Sequence, residues 1–200
     1  MELEYSNGKI FYSKELTHLD NFILDFIKIL NKHDVNYVLI SGYVSILFGR
    51  SRNTEDIDLF IEKIPFEKFK LLWLDLIKDF TCINTSDSVD AYKEYLSEDI
   101  AIRFSLKDSF IPNIEVKFPK MELDYWSIKN KVEVNINQDQ KLFISPLELQ
   151  IPFKLYLGSE KDIEDAKFLY AIFKGRLDMQ ILLDFNRKLK IEHLFDRYLK

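Results

Sequence analysis

The sequence predicts an α/β fold of the α+β kind, a small mixed-sheet core followed by a helical C-terminal part. Three observations predict it. Two apolar runs, Tyr37–Ile40 and Ile57–Ile61, enclose a Ser41-Gly42 break and a short helix-compatible segment. Later stretches alternate apolar and polar residues with the period of a strand. From Pro146 onward the pattern becomes purely helical, so the predicted division is residues 1–145 for the core and 146–200 for a helical subdomain.

In chain order, residues 1–16 read as a loose or strand-like lead-in. Thr17 to Asp34 carries Leu19, Phe22, Ile23, Phe26, Ile27 and Leu30 at helical spacing, with Thr17 as N-cap and Asp20 three residues on. Residues 36–40 are a strand, 43–48 a short helix ended by Gly49, and 55–61 a second strand. Pro65 opens a helix to about Phe80 that buries Phe66, Phe69, Leu72, Trp73, Leu76 and Ile77. The polar, acidic block 84–99 reads as a solvated loop or irregular helix, with a functional lid as the alternative. Strands follow at 100–106 and 113–118, a helical turn at 124–129, and a hairpin-like pair at 131–136 and 141–144. Four helices over 146–157, 160–174, 177–188 and 190–199 are separated at Gly158-Ser159, Gly175 and near Lys190.

Composition narrows the chemistry. The 200 residues carry a net charge of -5, which argues against a chain that coats nucleic acid non-specifically, because that requires an excess of Lys and Arg. With 17 Phe and 10 Tyr against 5 Gly, the core is aromatic and well filled. Cys82 is the only cysteine, and His18, His33 and His193 are far apart, so disulfides, a zinc cluster and a Cys-His pair lack their parts. A divalent ion held by oxygen is the metal still allowed. The acidic N-terminus is no signal peptide and no run approaches ~18 apolar residues, so the expected location is cytoplasmic, with no membrane partner.

Side chains alternate faces along a strand, so Asp56 and Asp58 point the same way while Ile57, Leu59 and Ile61 pack on the other. Two carboxylates on one face suit a cation. Gly42 has no side chain to exclude a ligand and stands where a helix begins, a place that receives phosphate. Together they suggest a nucleoside triphosphate.

The order strand, Gly turn, helix, strand with Asp56-Ile57-Asp58 resembles the nucleotidyltransferase superfamily. Arg52-Asn-Thr-Glu-Asp-Ile-Asp58 is similar to the branch of abortive-infection toxins and related prokaryotic proteins. Ser41 departs from the first glycine of the family turn, and its side chain crowds a place where backbone would approach the ligand. The resemblance implies a third carboxylate, matched by Glu115 in Asn113–Phe118; a Glu115–Lys117 pair on the strand face is the structural alternative. It further implies two Mg2+ ions held by Asp56, Asp58 and Glu115, with Glu115 also a candidate base. Lys154 matches a helix lysine of the same branch, and Lys161, Asp162 and Asp165 match its basic-Asp-x-x-Asp motif. They are candidates for triphosphate or substrate contact with Ser41, Gly42 and Arg52; Arg50 either joins them or solvates the turn. Helix capping by Ser159 also explains Asp162, and Lys154, with Leu149, Phe153 and Leu157 on the buried side, could merely border the core. The C-terminal Arg187, Lys188, Lys190, Arg197 and Lys200 read as a solvated face, with RNA contact as the alternative.

The function implied is Mg-dependent transfer of a nucleoside monophosphate to a hydroxyl on RNA or protein, toxin-like, with an antitoxin-like partner. The rivals are a catalytically weak nucleotide- or partner-binding module and a resistance enzyme acting on a small molecule.

Overall fold

The computed structural model describes residues 3–6 and 8–200; Met1, Glu2 and Asn7, part of the lead-in, lie outside the described residues. Among the described residues its centre is a nine-stranded mixed sheet in the order β1-β2-β8-β9-β3-β4-β7-β6-β5. The strands are β1 (Leu3–Ser6), β2 (Lys9–Tyr12), β3 (Tyr37–Leu39), β4 (Asp56–Ile61), β5 (Phe80–Cys82), β6 (Ile102–Leu106), β7 (Asn113–Lys117), β8 (Val132–Ile136) and β9 (Gln140–Ile144). The lead-in is thus a hairpin on the sheet margin, with β2 parallel to β8. Helices α1 (His18–Lys32), α2 (Gly42–Leu47) and α3 (Phe66–Asp79) precede an irregular segment at 88–98, in which α4 (Ser88–Asp90) runs on through a wide turn and a tight one. Then come α5 (Glu122–Lys129), α6 (Leu147–Leu157), α7 (Glu160–Phe173), α8 (Met179–Leu189) and α9 (Glu192–Leu199).

Local chemistry explains these boundaries. Thr17 and Asp20 form the expected reciprocal cap of α1. Gly49, at φ +100°, ends α2 in a conformation that side chains resist. Gly158 and Lys190 stop α6 and α8 in the left-handed region. The strand β5 was not expected, because a three-residue Phe-Thr-Cys run following directly on a helix has no length to show alternation. On α3, Ile77 is exposed rather than buried and Phe66 only half-buried; the buried stripe is Phe69, Leu72, Trp73 and Leu76.

One apolar cluster fills the interior, from Ile10 and Phe26 through Leu59 and Ile114 to Ile151, Leu155 and Phe173. Aromatic edges pack across it, as in Phe26 against Phe80 and Phe104, and Trp73 against Phe104. Helix α6 packs on α7 and α8, and α7 packs on α2, which brings the last helices against the segment that opens the carboxylate region. Among the described residues, no helix is long and apolar enough to cross a membrane.

Candidate functional site

Strand β4 alternates as expected: Ile57, Leu59 and Ile61 are buried, while Asp56, Asp58 and Phe60 are half-buried on the opposite face. Its neighbour β7 runs parallel, with Asp58 opposite Glu115. The sheet therefore brings these two carboxylates together, as the resemblance implied. It also brings Lys117, one pleat beyond Glu115, whose Nζ donates to Asp58 Oδ1 at 2.7 Å and stands 3.0 Å from Glu115 Oε2. From β6, Arg103 holds Glu115 Oε1 through Nε and Nη2 at 2.7 and 2.6 Å. Asp56 accepts from Thr54 Oγ1 at 3.0 Å.

Burial pushes the Asp58 carboxyl up from its usual range against the pull of Lys117, and the neighbouring Glu115 and Asp56 charges add to it. Burial acts the same way on Glu115, but Lys117 and Arg103 outweigh it and bring that carboxyl down. Lys117 itself is pulled down by burial and raised further by Asp58 and Glu115, ending above its usual value.

The Ser41-Gly42 turn lies beside this face, since the Ile40 amide donates to the Asp58 carbonyl at 3.0 Å. Ser41 sits at φ 62°, ψ -140°, a region that only glycine enters freely, which is the physical reason a glycine is expected there. Gly42 is packed under the Arg52 guanidinium, whose atoms lie 3.1 Å from where a Cβ would stand.

The second constellation also assembles, around Asp165, which is wholly buried. Lys154 Nζ donates to Asp165 Oδ2 at 2.6 Å and lies 3.6 Å from Asp162 Oδ1, while Arg50 and Arg52 bind the same Asp165 carboxylate. Arg50 also donates to the Lys161 carbonyl at 3.2 Å, and the Lys161 side chain is exposed. Ser159 caps α7 by accepting from the Asp162 amide, as the capping alternative expected. Lys154 does not border the core. It is 1% exposed, on the buried stripe Leu147, Ile151, Lys154 and Leu155, while Leu157 is exposed and Phe153 half-buried at the edge of that stripe. The difference arises because α6 is covered by α7 and α8, so its apolar flank at Phe153 and Leu157 is the one left facing a cavity. Burial, with Arg52 and Arg50 close by, lowers the Lys154 pKa to about 8 against the pull of Asp162.

That cavity, of about 330 Å³, opens beside Asp58, Lys117, Ser41 and Lys154 and is walled by Phe60, Phe118, Met121, Leu149 and Phe153, with Gln150 and Ser145 among its polar groups. As cavity walls, Met121, Leu149, Gln150 and Phe153 escape sequence reasoning, and so does Arg103. Arg103 is visible only as the polar break between Ile102 and Phe104, and its target depends on strand order.

Asp56 and Asp58 are hard oxygen donors suited to one divalent cation. A second ion shared by Asp58 and Glu115 does not fit, because Lys117 fills the gap between them. Among the described residues, no three acidic, His or Cys side chains are grouped so as to hold a metal.

No family model and no curated protein matches the chain. Among solved structures, it is similar to an antigenic nucleotidyltransferase-like protein from Paracoccidioides brasiliensis, at TM-score 0.51 and 16% identity over 92% of this chain and 96% of that one. The fold is nucleotidyltransferase-like. The antibiotic-resistance factor ANT(2'')-Ia is similar at TM-score 0.53 and 12% identity, covering 88% of this chain and 96% of that one. The lincosamide antibiotic adenylyltransferase LnuA, solved with lincomycin, is similar at TM-score 0.51 and 14% identity, over 80% and 99%.

Proposed function

We propose that this chain transfers a nucleoside monophosphate from a nucleoside triphosphate to a hydroxyl group on RNA or protein, with the Asp56–Asp58 face as the reacting centre. The observation that carries the reading is the meeting of that face, the Ser41-Gly42 turn and an apolar-walled cavity within a nucleotidyltransferase-like fold. A Mg2+-class cation held by Asp56 and Asp58 would supply charge neutralisation and polarise the reacting phosphate.

The chain's own residues divide the remaining work. The exposed Lys161 presents a point charge to a triphosphate. The Arg52 guanidinium lies over Gly42, and its Nε is buried with no hydrogen-bond partner among the described residues, so a phosphate oxygen at the turn would satisfy it. Asp165 holds Arg50 and Arg52 in place, and Lys154 ties it to α6 with Asp162 alongside. The cavity is of a size that takes one base or sugar-sized group, so a macromolecular acceptor would insert a single end or residue. Phe60, Phe118 and Phe153 give that group flat apolar walls, which favour burial of a base. The toxin-like assignment, with an antitoxin-like partner, rests on Arg52 through Asp58 and Lys154 through Asp165.

One observation favours a second reading, a nucleotide-binding module without transfer: Lys117 stands among the carboxylates. Label transfer from each α-32P nucleoside triphosphate into total RNA and cell protein, with Mg2+, separates the two. Label that disappears in Asp56→Ala/Asp58→Ala supports the enzyme. Nucleotide binding with no label on any acceptor rejects it in favour of the binding module.

A further inference from the structure

Strand register alone sets Asp58 against Glu115, and two like charges on adjacent strands repel. The ammonium of Lys117 lies between them at hydrogen-bonding distance from both, 2.7 and 3.0 Å. Its stem is anchored in β7 and two-thirds covered, with 33% of the side chain exposed. Arg103 closes the opposite side of Glu115, so both oxygens of that carboxylate are taken by cations of the chain itself. Asp56 lies one pleat before Asp58, at the end of β4 away from Lys117, and among the described residues its carboxylate meets only Thr54.

We propose that Lys117 is a built-in cation occupying the place where a second divalent ion would bridge Asp58 and Glu115, so that the chain takes a single divalent ion, on Asp56 and Asp58. This rests on the nucleotidyltransferase reading above. Formal charge supports it. Lys117 and Arg103 together supply the two positive charges of a second ion, so three carboxylates with these side chains and one ion match three bare carboxylates with two. Geometry supports it too, since a bridging Mg2+ needs both oxygens at about 2.0–2.1 Å, and the ammonium that stands between them keeps 2.7 and 3.0 Å. Glu115 is then the partner that positions Lys117, not a metal ligand.

Mn2+ binding to the purified full chain, counted by electron paramagnetic resonance and equilibrium dialysis, tests this without reference to activity. The wild type is expected to bind one Mn2+ per chain. Lys117→Met, checked for folding by circular dichroism, is expected to bind two. Glu115→Gln keeps the single ion with affinity reduced by less than about 10-fold, the lower figure for loss of an outer partner, whereas Asp58→Asn weakens it by at least about 100-fold. The Glu115 variant decides the matter if Lys117→Met does not fold. Two ions in the wild type, one ion in both wild type and Lys117→Met, or loss of the ion in Glu115→Gln overturns the inference and leaves the transferase reading standing. No ion in the wild type overturns the inference as well, and label transfer then decides the transferase reading separately.

Discussion

Replacing Asp165 by Asn keeps the volume of a wholly buried side chain and removes the one charge that Lys154, Arg50 and Arg52 share. Breaking a buried ion pair from one side costs about 3–5 kcal/mol, because the remaining charge is left without a partner. The three cations do not suffer equally. Arg50 and Arg52 retain 18% and 17% side-chain exposure and can turn to water, while Lys154, at 1%, cannot. Lys154 has another escape, since its pKa already lies near 8 and it can shed its proton. The cost at pH 7 is therefore set at the low end, about 3 kcal/mol, or a fall in Tm of about 6–12 °C for a domain of this size. The sign with pH follows from linkage. A lysine whose folded pKa lies below its unfolded one makes stability rise with pH between the two values, and removing Asp165 lowers the folded value further. The penalty of Asp165→Asn should therefore shrink between pH 7 and pH 9.5. Urea denaturation followed by Trp73 and Trp126 fluorescence measures it at both pH values. Adding Lys154→Met to Asp165→Asn should recover much of the loss. A loss below about 1 kcal/mol at pH 7, or one that does not shrink in alkali, would refute the reasoning.

Three further outcomes follow from single residues. Ser41→Gly relieves about 1–3 kcal/mol of strain at φ 62° and loses part of it to the entropy of glycine, so a net gain near 1 kcal/mol is expected in urea denaturation. Gly42→Ala places a Cβ 3.1 Å from a guanidinium that Asp165 pins, so it should destabilise by about 1–3 kcal/mol, with a smaller loss once Asp165→Asn has freed Arg52. Asp20 is buried, and although burial raises its pKa, hydrogen bonds from Lys14, Thr17 and Tyr43 bring it below the usual range. Its contribution is thus complete above about pH 3.9 and lost as pH falls through the lower folded value. Asp20→Asn should weaken the fold at pH 7 by about 2–3 kcal/mol and flatten the acid limb below pH 4, as thermal melts across pH would report.

What could be read from the sequence was whatever depends on short-range periodicity. The face shared by Asp56 and Asp58, the Thr17–Asp20 cap and the breaks at Gly158 and Lys190 each need only a few neighbouring residues to specify them. Glu115 could be placed on a strand, and its pairing with Lys117 weighed, because both are local. What escaped depends on strand order and helix packing. Arg103 reaches Glu115 only because β6 lies beside β7, and Lys154 is buried only because α7 and α8 cover α6. The lead-in joins the sheet through β8, more than a hundred residues away, a pairing that no local signal carries.

These long-range contacts are what tie the site together. Eight residues separate the end of α2 from the start of β4, and Arg50 and Arg52 lie among them. Their grip on Asp165 fixes the path from the Ser41-Gly42 turn to Asp56, and Arg52 folds back over Gly42 on the way. The same Asp165 holds Lys154 in α6, next to Phe153 on the cavity wall. One buried carboxylate thus positions the turn, the carboxylate strand and the cavity relative to each other. Geometry at a reacting centre is sensitive to displacements of about 1 Å, so a substitution at Asp165 should impair transfer even where the variant remains folded. It should do so with Mn2+ stoichiometry unchanged, since Asp56 and Asp58 stay on their strand.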